Sequence, residues 1–295
     1  MIWSVVTKKE MEEYNIPPVF QYYREVIGRE NITLAVVDDN DPLTFVHDDD
    51  VVLLRSASKS LIETIERKGV KTTAERFRTY ELVRDKATLS ALLRQHSIPA
   101  PHFYAIHEVI DGKVYFVKPR FGSESFGITP ECICQSKQDV LKQITRIEQE
   151  TKQSAMIEDF IDGTDCTTAC YYNPFTKEVR THTIRIENNE IGGIQTHTSK
   201  FNYDEYCSAL KGKKGDIANK VSKEVFELLG IKHHARIDYR IANDGKLYLI
   251  DVNLIPGLGP SAHFAKCLLL TDNISYMDTV KSIVRSAQNH QIQNL

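Results

Sequence analysis

The sequence predicts an α/β protein with a small parallel-sheet domain at its N-terminus, and three observations support this fold class. The chain has 295 residues, which is enough for two or three lobes. Strand and helix signals alternate over residues 1–80, the order typical of a parallel sheet. Beyond them, apolar runs separated by turn signals indicate an antiparallel meander and, at 236–252, a hairpin.

The elements of the N-terminal domain follow from short apolar runs and from proline and glycine punctuation. Strands are predicted at 5–6, 32–37 and 51–54. Helices are predicted from Pro17 to Gly28 and over about ten residues ending at Gly69. This order requires crossover helices and therefore favours parallel strands.

The middle of the chain predicts a second α/β unit. Its predicted elements are a helix that begins at Lys86 and is capped by Asp85, strands at 102–107 and 113–118 joined by the turn Asp111-Gly112, a helix around 141–147, and a strand at 156–161. Those of the last part are strands at 166–172 and 179–187, a helix at 216–229, the hairpin, and a helix at 276–287. The polar segment 188–211 shows little periodicity and predicts either disorder or a functional lid.

The hairpin is the most informative stretch. Its two strands flank Asn243-Asp244-Gly245, and a two-residue turn at Asp244-Gly245 places Asp238 opposite Asp251 and Arg236 opposite Asn253. Facing carboxylates repel, so a cation is expected beside them. Oxygen ligands of this kind suit Mg²⁺. The alternative is a solvated polar face on an edge hairpin, and a three-residue loop would shift the pairing and separate the carboxylates.

The opposite face of the hairpin is apolar, and we predict that it packs against the core. Its apolar residues are Ile237, Tyr239, Ile241, Tyr248, Ile250 and Val252. After Asn253 comes a tight loop with Pro256-Gly257 and Gly259-Pro260-Ser261. Its backbone N–H groups are candidates for holding an anion.

A second candidate site follows the predicted strand 113–118. Lys118 ends an apolar run and precedes a Gly/Ser loop at 122–127. A lysine with unblocked backbone donors suits phosphate binding. The spacing matches neither the Walker loop nor the dinucleotide fingerprint.

Composition excludes several functional classes. The net charge of −3 gives no argument for nucleic acid or for an anionic membrane surface, and the apolar runs are too short to span a bilayer. The N-terminus has no signal-peptide pattern. Six cysteines, at 132, 134, 166, 170, 207 and 267, match neither a zinc site nor a disulfide framework. We expect reduced thiols in a cytoplasmic protein.

Taken together, the motifs resemble those of the ATP-grasp ligases, and most of all the D-alanine–D-alanine ligases. The matching segments occur in the same order over about residues 80–285: Asp85-Lys86, Ile98 to Pro101, Val117-Lys118-Pro119 with its loop, Glu158 to Gly163, Ser199-Lys200, Arg236-Ile237-Asp238, and Asp251-Val252-Asn253 to Gly257. The resemblance implies three lobes, at 1–80, 81–160 and 161–295, with the nucleotide bound between the two α+β lobes.

The resemblance also implies roles for individual residues. Those assigned to the nucleotide are Lys86 and Lys118 at the phosphates, the loop of Ser123, Ser125 and Gly127 over them, the backbone of Glu158, Asp159, Phe160 and Ile161 at adenine, and Asp165 near the ribose. Those assigned to chemistry are Asp238, Asp251 and Asn253 for Mg²⁺, with Mn²⁺ as the alternative, Lys200 and Arg236 for the transferring phosphoryl group, and the loop of Gly257 and Ser261 for the tetrahedral intermediate.

The implied function is ATP-dependent ligation of a carboxylate to an amine through an acyl phosphate, with amino-acid or dipeptide-like substrates. Two alternatives remain: a kinase that uses the same nucleotide site, and a regulatory protein that binds nucleotide without turnover. A homodimer is also consistent with the sequence.

The sequence departs from the D-alanine enzymes in five places. Asp165 and Asp251 stand where glutamate is usual, and Phe201 stands where a tyrosine is common. The loop after Gly257 and the missing N-terminal glutamate–serine pattern differ as well. We therefore expect a substrate pair other than two D-alanines. Two further expectations are that His263 lacks a partner and that Cys207 is inert.

Overall fold

The computed structural model describes residues 1–13, 17–121, 125–188 and 205–289 and arranges them around three β-sheets. The first sheet is parallel, as predicted, with strand order β2-β1-β3-β4. Its strands are β1 (Ile2–Thr7), β2 (Ile32–Val37), β3 (Val51–Leu54) and β4 (Lys71–Thr72).

Four helices accompany this sheet: α1 (Lys8–Glu13), α2 (Pro17–Ile27), α3 (Lys59–Lys68) and α4 (Phe77–Arg84). The predicted helices α2 and α3 are confirmed. In α3 the Ser58 side chain accepts a hydrogen bond from the Leu61 N–H, and Gly69 ends the helix at φ 64°. The sequence did not predict α1 and α4, which span six and eight residues and have little room for a periodic pattern.

The second sheet is antiparallel, with strand order β5-β8-β6-β7. Its elements are α5 (Lys86–Gln95), β5 (Phe103–Tyr104), β6 (Tyr115–Pro119), β7 (Ile133–Cys134), α6 (Lys137–Thr151) and β8 (Ala155–Asp159). The predicted turn between β5 and β6 at Asp111-Gly112 does not form a hairpin, because β8 lies between these strands. The Gly112 N–H instead donates to the Gln135 carbonyl.

The third sheet is also antiparallel, with strand order β11-β10-β9-β12-β13. Its elements are β9 (Gly163–Asn173), β10 (Glu178–Asn188), β11 (Glu205–Ala209), α7 (Lys213–Leu228), β12 (His234–Ala242) and β13 (Leu247–Asn253), followed by α8 (His263–Asp272) and α9 (Tyr276–Gln288). β11 corrects the prediction of an irregular segment at 188–211, because residues 205–209 pair with β10. The rest of that segment, 189–204, lies outside the described residues.

The hydrophobic cores show which sheets pack together. Buried side chains of α3, α7 and β12, such as Leu61, Phe226 and Ile237, share one core that joins the first sheet to the third. A second core, with Tyr23 and Phe264, joins the same two sheets through α8 and α9. The second sheet has its own core. A cleft therefore opens between the second and third sheets, while the domain limits at 80 and 160 stay a prediction.

None of the helices in the described part of the chain combines the length and the apolar character needed to cross a bilayer.

Gly163, the first residue of β9, provides a test of this packing. It pairs with Ala242, and a Cβ atom at Gly163 would lie 2.0 Å from the Ile241 carbonyl oxygen. We expect Gly163→Ala to lower the free energy of unfolding by about 2–4 kcal/mol, because the backbone must move apart. Urea denaturation measures this. Gly259→Ala is the control, since a Cβ there meets nothing within 4 Å, and equal stability of the two variants would contradict the described β9–β12 pairing.

Candidate active site

The cleft between the second and third sheets gathers most of the residues predicted from the sequence. Its walls come from the start of α5, the end of β6, the β8–β9 connection, and strands β12 and β13. The predicted residues that line it are Lys86, Lys118, Ser125, Glu158, Asp159, Phe160, Ile161, Asp165, Arg236, Asp238, Asp251 and Asn253.

Other predicted residues lie elsewhere. Gly257 and Ser261 are exposed and do not line the cleft. Gly127 lies between two lining residues, and it has φ 76° with Thr151 close to where a Cβ would stand, so glycine is needed there for the backbone. Ser123 and Lys200 lie outside the described residues.

The hairpin places its polar residues as predicted but by a different route. Asp238 pairs with Asp251, and Arg236 pairs with Asn253. The turn, however, is not the predicted two-residue one, because the Ala242 N–H donates to the Lys246 carbonyl and three residues lie between them. A register shift next to Asp238 cancels the extra loop residue. The predicted pairing is therefore confirmed, and the predicted turn is wrong.

The same shift changes the core face of β13. Tyr239 pairs with Leu249, and Ile241 pairs with Leu247, so these leucines take the places predicted for Tyr248 and Ile250. Ile250 is left to line the cleft.

The two facing carboxylates have different partners. Arg236 donates to both oxygens of Asp238, from Nε at 2.9 Å and from Nη2 at 2.8 Å, and Thr167 also donates to Asp238. Burial alone would lower the pKa of Arg236, but the charge and hydrogen bonds of Asp238 raise it overall. Asp251 faces Lys86, with Nζ 3.9 Å from Oδ1. Protein cations therefore offset part of the repulsion between the two carboxylates, for which the sequence led us to expect a bound metal ion.

The donor atoms at the end of the hairpin fit a hard divalent cation. Asp251 and Asn253 offer a carboxylate and an amide oxygen on alternate residues of one strand, and Asp238 stands opposite. The Asn253 Oδ1 atom also accepts a hydrogen bond from the Ile255 N–H at 2.9 Å. This bond fixes the orientation of the side-chain amide. Oxygen donors of this kind, open to phosphate and water, match the preference of Mg²⁺.

Lys118 and Glu158 form a buried ion pair on the opposite wall. The Lys118 Nζ atom is 2.7 Å from Glu158 Oε1, and the two side chains are only 9% and 6% exposed. Burial raises the pKa of Glu158, and the charge of Lys118 acts against that rise. The pair holds the lysine in a water-poor place at the edge of the cleft.

Lys86 is positioned by the cap of its helix. Asp85 caps α5 and accepts two hydrogen bonds from Arg120, at 2.8 and 2.6 Å, while the Lys86 N–H donates to the Arg120 carbonyl at 3.2 Å. Burial lowers the pKa of Lys86, and Asp251 opposes this effect. The start of α5 is thus tied to the end of β6, next to Lys118.

Part of the backbone that was predicted to contact adenine belongs to the second sheet. Glu158 lies in the middle strand β8, between β5 and β6, and the Asp159 N–H donates to the His102 carbonyl. The sheet therefore uses the backbone of both residues. Phe160 and Ile161 follow the strand and line the cleft. The Phe160 N–H donates to the Val114 carbonyl at 3.5 Å and the Ile161 carbonyl accepts from Arg240, so their backbone contact with adenine stays a prediction.

Arg240 is a site residue that the sequence analysis missed. It is buried, and it donates to Asp165 Oδ1 at 3.0 Å, to the Ile161 carbonyl at 3.0 Å and to the Gly163 carbonyl at 2.9 Å. A signal existed: residues 236, 238 and 240 alternate along one face of β12. Asp165 is thereby held by an arginine, and its role at the ribose stays a prediction.

His263 was also missed, and the prediction that it lacks a partner is wrong. Its Nε2 atom lies 2.6 Å from Glu205 Oε1, and Lys266 Nζ lies 2.9 Å from the same oxygen. Although burial acts against it, these partners lower the pKa of Glu205 to about 2. The separation of 58 positions between Glu205 and His263 leaves no local sequence signal. Burial raises the pKa of the neighbouring Cys207 to about 11, in agreement with the prediction of an inert thiol.

Comparison with protein families gives the same picture as the geometry. The family model described as D-ala D-ala ligase C-terminus matches residues 95–285. A D-alanine–D-alanine ligase of Francisella philomiragia is 25% identical over 231 residues, covering 76% of this chain and 74% of that protein. One from Phocaeicola vulgatus is 30% identical over 156 residues, covering 51% of this chain and 46% of that protein.

Solved structures share the fold along nearly the whole chain. The D-alanine–D-alanine ligase of Bacillus anthracis complexed with ATP has a TM-score of 0.72 at 16% identity and covers 97% of this chain and 96% of its own. The VanG D-Ala:D-Ser ligase of Enterococcus faecalis has a TM-score of 0.76 at 14% identity, with coverage of 97% and 98%. The chain therefore belongs to the D-alanine–D-alanine ligase family and is an ATP-dependent ligase with the ATP-grasp fold.

Proposed function

We propose that the protein joins the carboxylate of one amino-acid-like substrate to the amine of another, through an acyl phosphate made with ATP and Mg²⁺. The observation that supports this most strongly is the meeting of Lys86, Lys118 and Arg236 with the oxygen donors of the hairpin in one cleft. Phosphoryl transfer depends chiefly on positioning and on offsetting negative charge. A cleft with two lysines on one wall, and with an arginine beside metal-type ligands on the other, provides both.

Each wall has its own part in this proposal. Lys118, held by Glu158, and Lys86, held at the start of α5, would bind the nucleotide phosphates. Asp251, Asn253 and Asp238 would hold Mg²⁺, or Mn²⁺ in its place, and the ion would offset charge on the phosphoryl oxygens.

Arg236 is proposed to act where negative charge develops. Its guanidinium is fixed by two hydrogen bonds to Asp238 and lines the cleft beside the hairpin donors. A fixed donor needs no rearrangement as charge builds up on the phosphoryl group or on the tetrahedral intermediate. Lys200 is also proposed to stabilise the phosphoryl group, and the backbone at Gly257 the tetrahedral intermediate.

The substrates are proposed to be amino acids or dipeptide-like molecules other than two D-alanines. The departures at Phe201 and in the loop after Gly257 support this. The N-terminal domain also contacts this loop. Arg55, a buried arginine that directly follows β3, donates from Nη2 to the Pro256 carbonyl at 2.7 Å.

Incubation with ATP, Mg²⁺ and pooled amino acids tests the proposal. Phosphate release that needs two co-substrates, with an amide product seen by mass spectrometry, is the expected result. A stable phosphorylated product would instead identify a kinase, and nucleotide binding without ADP would identify a binding protein. Efficient synthesis of D-alanyl-D-alanine would contradict the proposed substrate class.

Replacement of Arg236 separates binding from catalysis. We expect Arg236→Ala to keep most of its affinity for Mg-ATP and to lose about 100- to 1,000-fold in kcat, because the side chain acts mainly on developing charge. Isothermal titration and a turnover assay measure the two effects. Arg180→Ala, at an exposed arginine paired with Glu178, is the control. Equal losses in affinity and kcat would place Arg236 among the nucleotide-binding residues instead.

Two further properties are proposed. We place the protein in the cytoplasm, where its six cysteines, which are free thiols in the structure, would stay reduced. A homodimer stays a prediction that sedimentation of the full chain would decide.

A further inference from the structure

His263 combines three features that the proposed nucleotide chemistry does not use. It is the first residue of α8, it lines the cleft together with Arg236 and Asp238, and its imidazole is held by a carboxylate. Among the described residues that line the cleft, it is the only histidine. Its side chain is 14% exposed, so one part of the ring is sheltered while another part reaches the cleft.

The carboxylate fixes which ring nitrogen carries the proton. The pKa of Glu205 is about 2, so this group is ionised at neutral pH and can only accept hydrogen bonds. Burial lowers the pKa of His263 although Glu205 opposes the effect, and this direction favours the neutral ring. A neutral ring that donates from Nε2 to Glu205 keeps a lone pair on Nδ1. Within the described parts of the chain, Nδ1 has no hydrogen-bond partner.

A metal site is the other interpretation of this cluster. Glu205, Cys207 and His263 offer ligand atoms within 4.8 Å of one another. However, the ammonium of Lys266 lies 2.9 Å from the Glu205 oxygen and 3.9 Å from the Cys207 sulfur, where its charge would oppose a cation. The raised pKa of Cys207 also disfavours the thiolate that a metal requires. These contacts favour proton transfer over metal binding.

We propose that His263 is the general base that takes a proton from the attacking amine, and that Glu205 is a positioning residue that fixes its tautomer. This inference rests on the proposed ligase function. The amine substrate, present as an ammonium ion, gives one proton to Nδ1. Its nitrogen then forms a bond to the acyl carbon of the acyl phosphate. The carbon–oxygen bond to the phosphate breaks, and phosphate leaves with the electron pair and takes the second proton from nitrogen.

The surroundings of the ring suit a base that is protonated only briefly. The charged and titratable groups that face it from neighbouring elements are Glu205 and Cys207 on β11, Lys266 on α8, and Arg236 and Asp238 on β12. Glu205 and Asp238 stabilise the imidazolium, whereas Arg236 opposes it. The balance returns the proton to solvent after each turnover, as a general base needs.

Hydroxylamine separates this role from all earlier steps, because it is largely unprotonated at neutral pH and needs no base. The assay uses the carboxylate substrate found in the amino-acid screen and compares hydroxamate formation with amide formation. We expect His263→Asn to keep hydroxamate formation within about twofold of the parent and to lose amide formation by 100-fold or more. The loss should shrink as pH rises, because the amine then loses its proton unaided. His107→Asn, at an exposed histidine, is the control.

Glu205→Gln tests the positioning role. Glutamine keeps the size of the side chain but can also donate to the ring, so it no longer fixes the tautomer. We expect a smaller loss of amide formation, a shifted pH profile and intact hydroxamate formation. Nitrogen NMR of the imidazole rings gives a reading without substrate: the parent should show His263 protonated at Nε2, and Glu205→Gln should show a mixture.

Several results would overturn the inference. They are equal loss of hydroxamate and amide in His263→Asn, no loss of either, a parent ring protonated at Nδ1, or Zn²⁺ binding by the parent that the variant lacks. Absence of both products in the parent would instead reject the ligase function itself, so the two failures are distinguishable.

Discussion

Replacing Asp251 with asparagine should lower ATP-dependent turnover by orders of magnitude while leaving the metal-free protein close to the parent in stability. The change deletes a charged ligand from the proposed metal site, and metal-dependent phosphoryl transfer relies on that charge. In the metal-free protein two small effects compete. Asparagine removes the repulsion from Asp238, worth up to about 1 kcal/mol across a strand pair. It also removes the attraction to Lys86 at 3.9 Å. The loss of repulsion from Asp238 alone predicts a slight gain in stability. The loss of attraction to Lys86 cancels that gain.

Thermal melts with and without Mg-ATP, beside a turnover assay, measure both parts of this prediction. A ligand at 100 times its Kd stabilises the parent by about 2.7 kcal/mol, and Asp251→Asn should lose most of that gain. Asp244→Asn makes the same change in the turn of the same hairpin and should behave as the parent. A fully active Asp251→Asn protein with lowered stability would mean that the carboxylate is structural.

The register of this hairpin shows how a sequence prediction can reach the right site by an incorrect local step. Asp-Gly favours a two-residue turn, which alone would put Asp238 opposite Asp251. The structure has three residues in the loop and a compensating shift at Asp238. Each feature displaces the pairing by one position, so together they restore it. Nothing in the local pattern signals a bulge at Ile250, because the run from Leu247 to Ile250 has no alternation that would favour one register over the other.

Predictability elsewhere follows the distance between interacting residues. The end of α3 and the start of α5 were predictable because Gly69 and Asp85 act within one helical turn. The place of β8 between β5 and β6 was not, since a turn signal at Gly112 does not show which strand pairs with which. The contact of His263 with Glu205 spans 58 residues and depends on where α8 packs on the third sheet.

The buried pair of Lys118 and Glu158 leads to the largest expected loss of stability. Lys118→Met should lower the free energy of unfolding by about 3–5 kcal/mol at neutral pH, because it leaves Glu158 buried without its counter-charge. It should also remove nucleotide binding. The pKa of Glu158, already raised by burial, rises further without Lys118. The folded protein then holds a proton that the unfolded chain releases above its ordinary pKa. Stability should therefore fall as pH increases from that value through the folded pKa, and denaturation at several pH values measures it.

The double variant Lys118→Met/Glu158→Leu separates stability from function. Two apolar side chains of similar volume replace the pair, and such exchanges are often neutral or stabilising. We expect most of the lost stability to return, with its pH dependence gone, while Mg-ATP still fails to bind because the cleft lacks its lysine. Lys113→Met, at a lysine 38% exposed and paired with Asp159, should cost less than about 1 kcal/mol. Recovery of nucleotide binding in the double variant would show that Lys118 only neutralises Glu158 and does not contact phosphate.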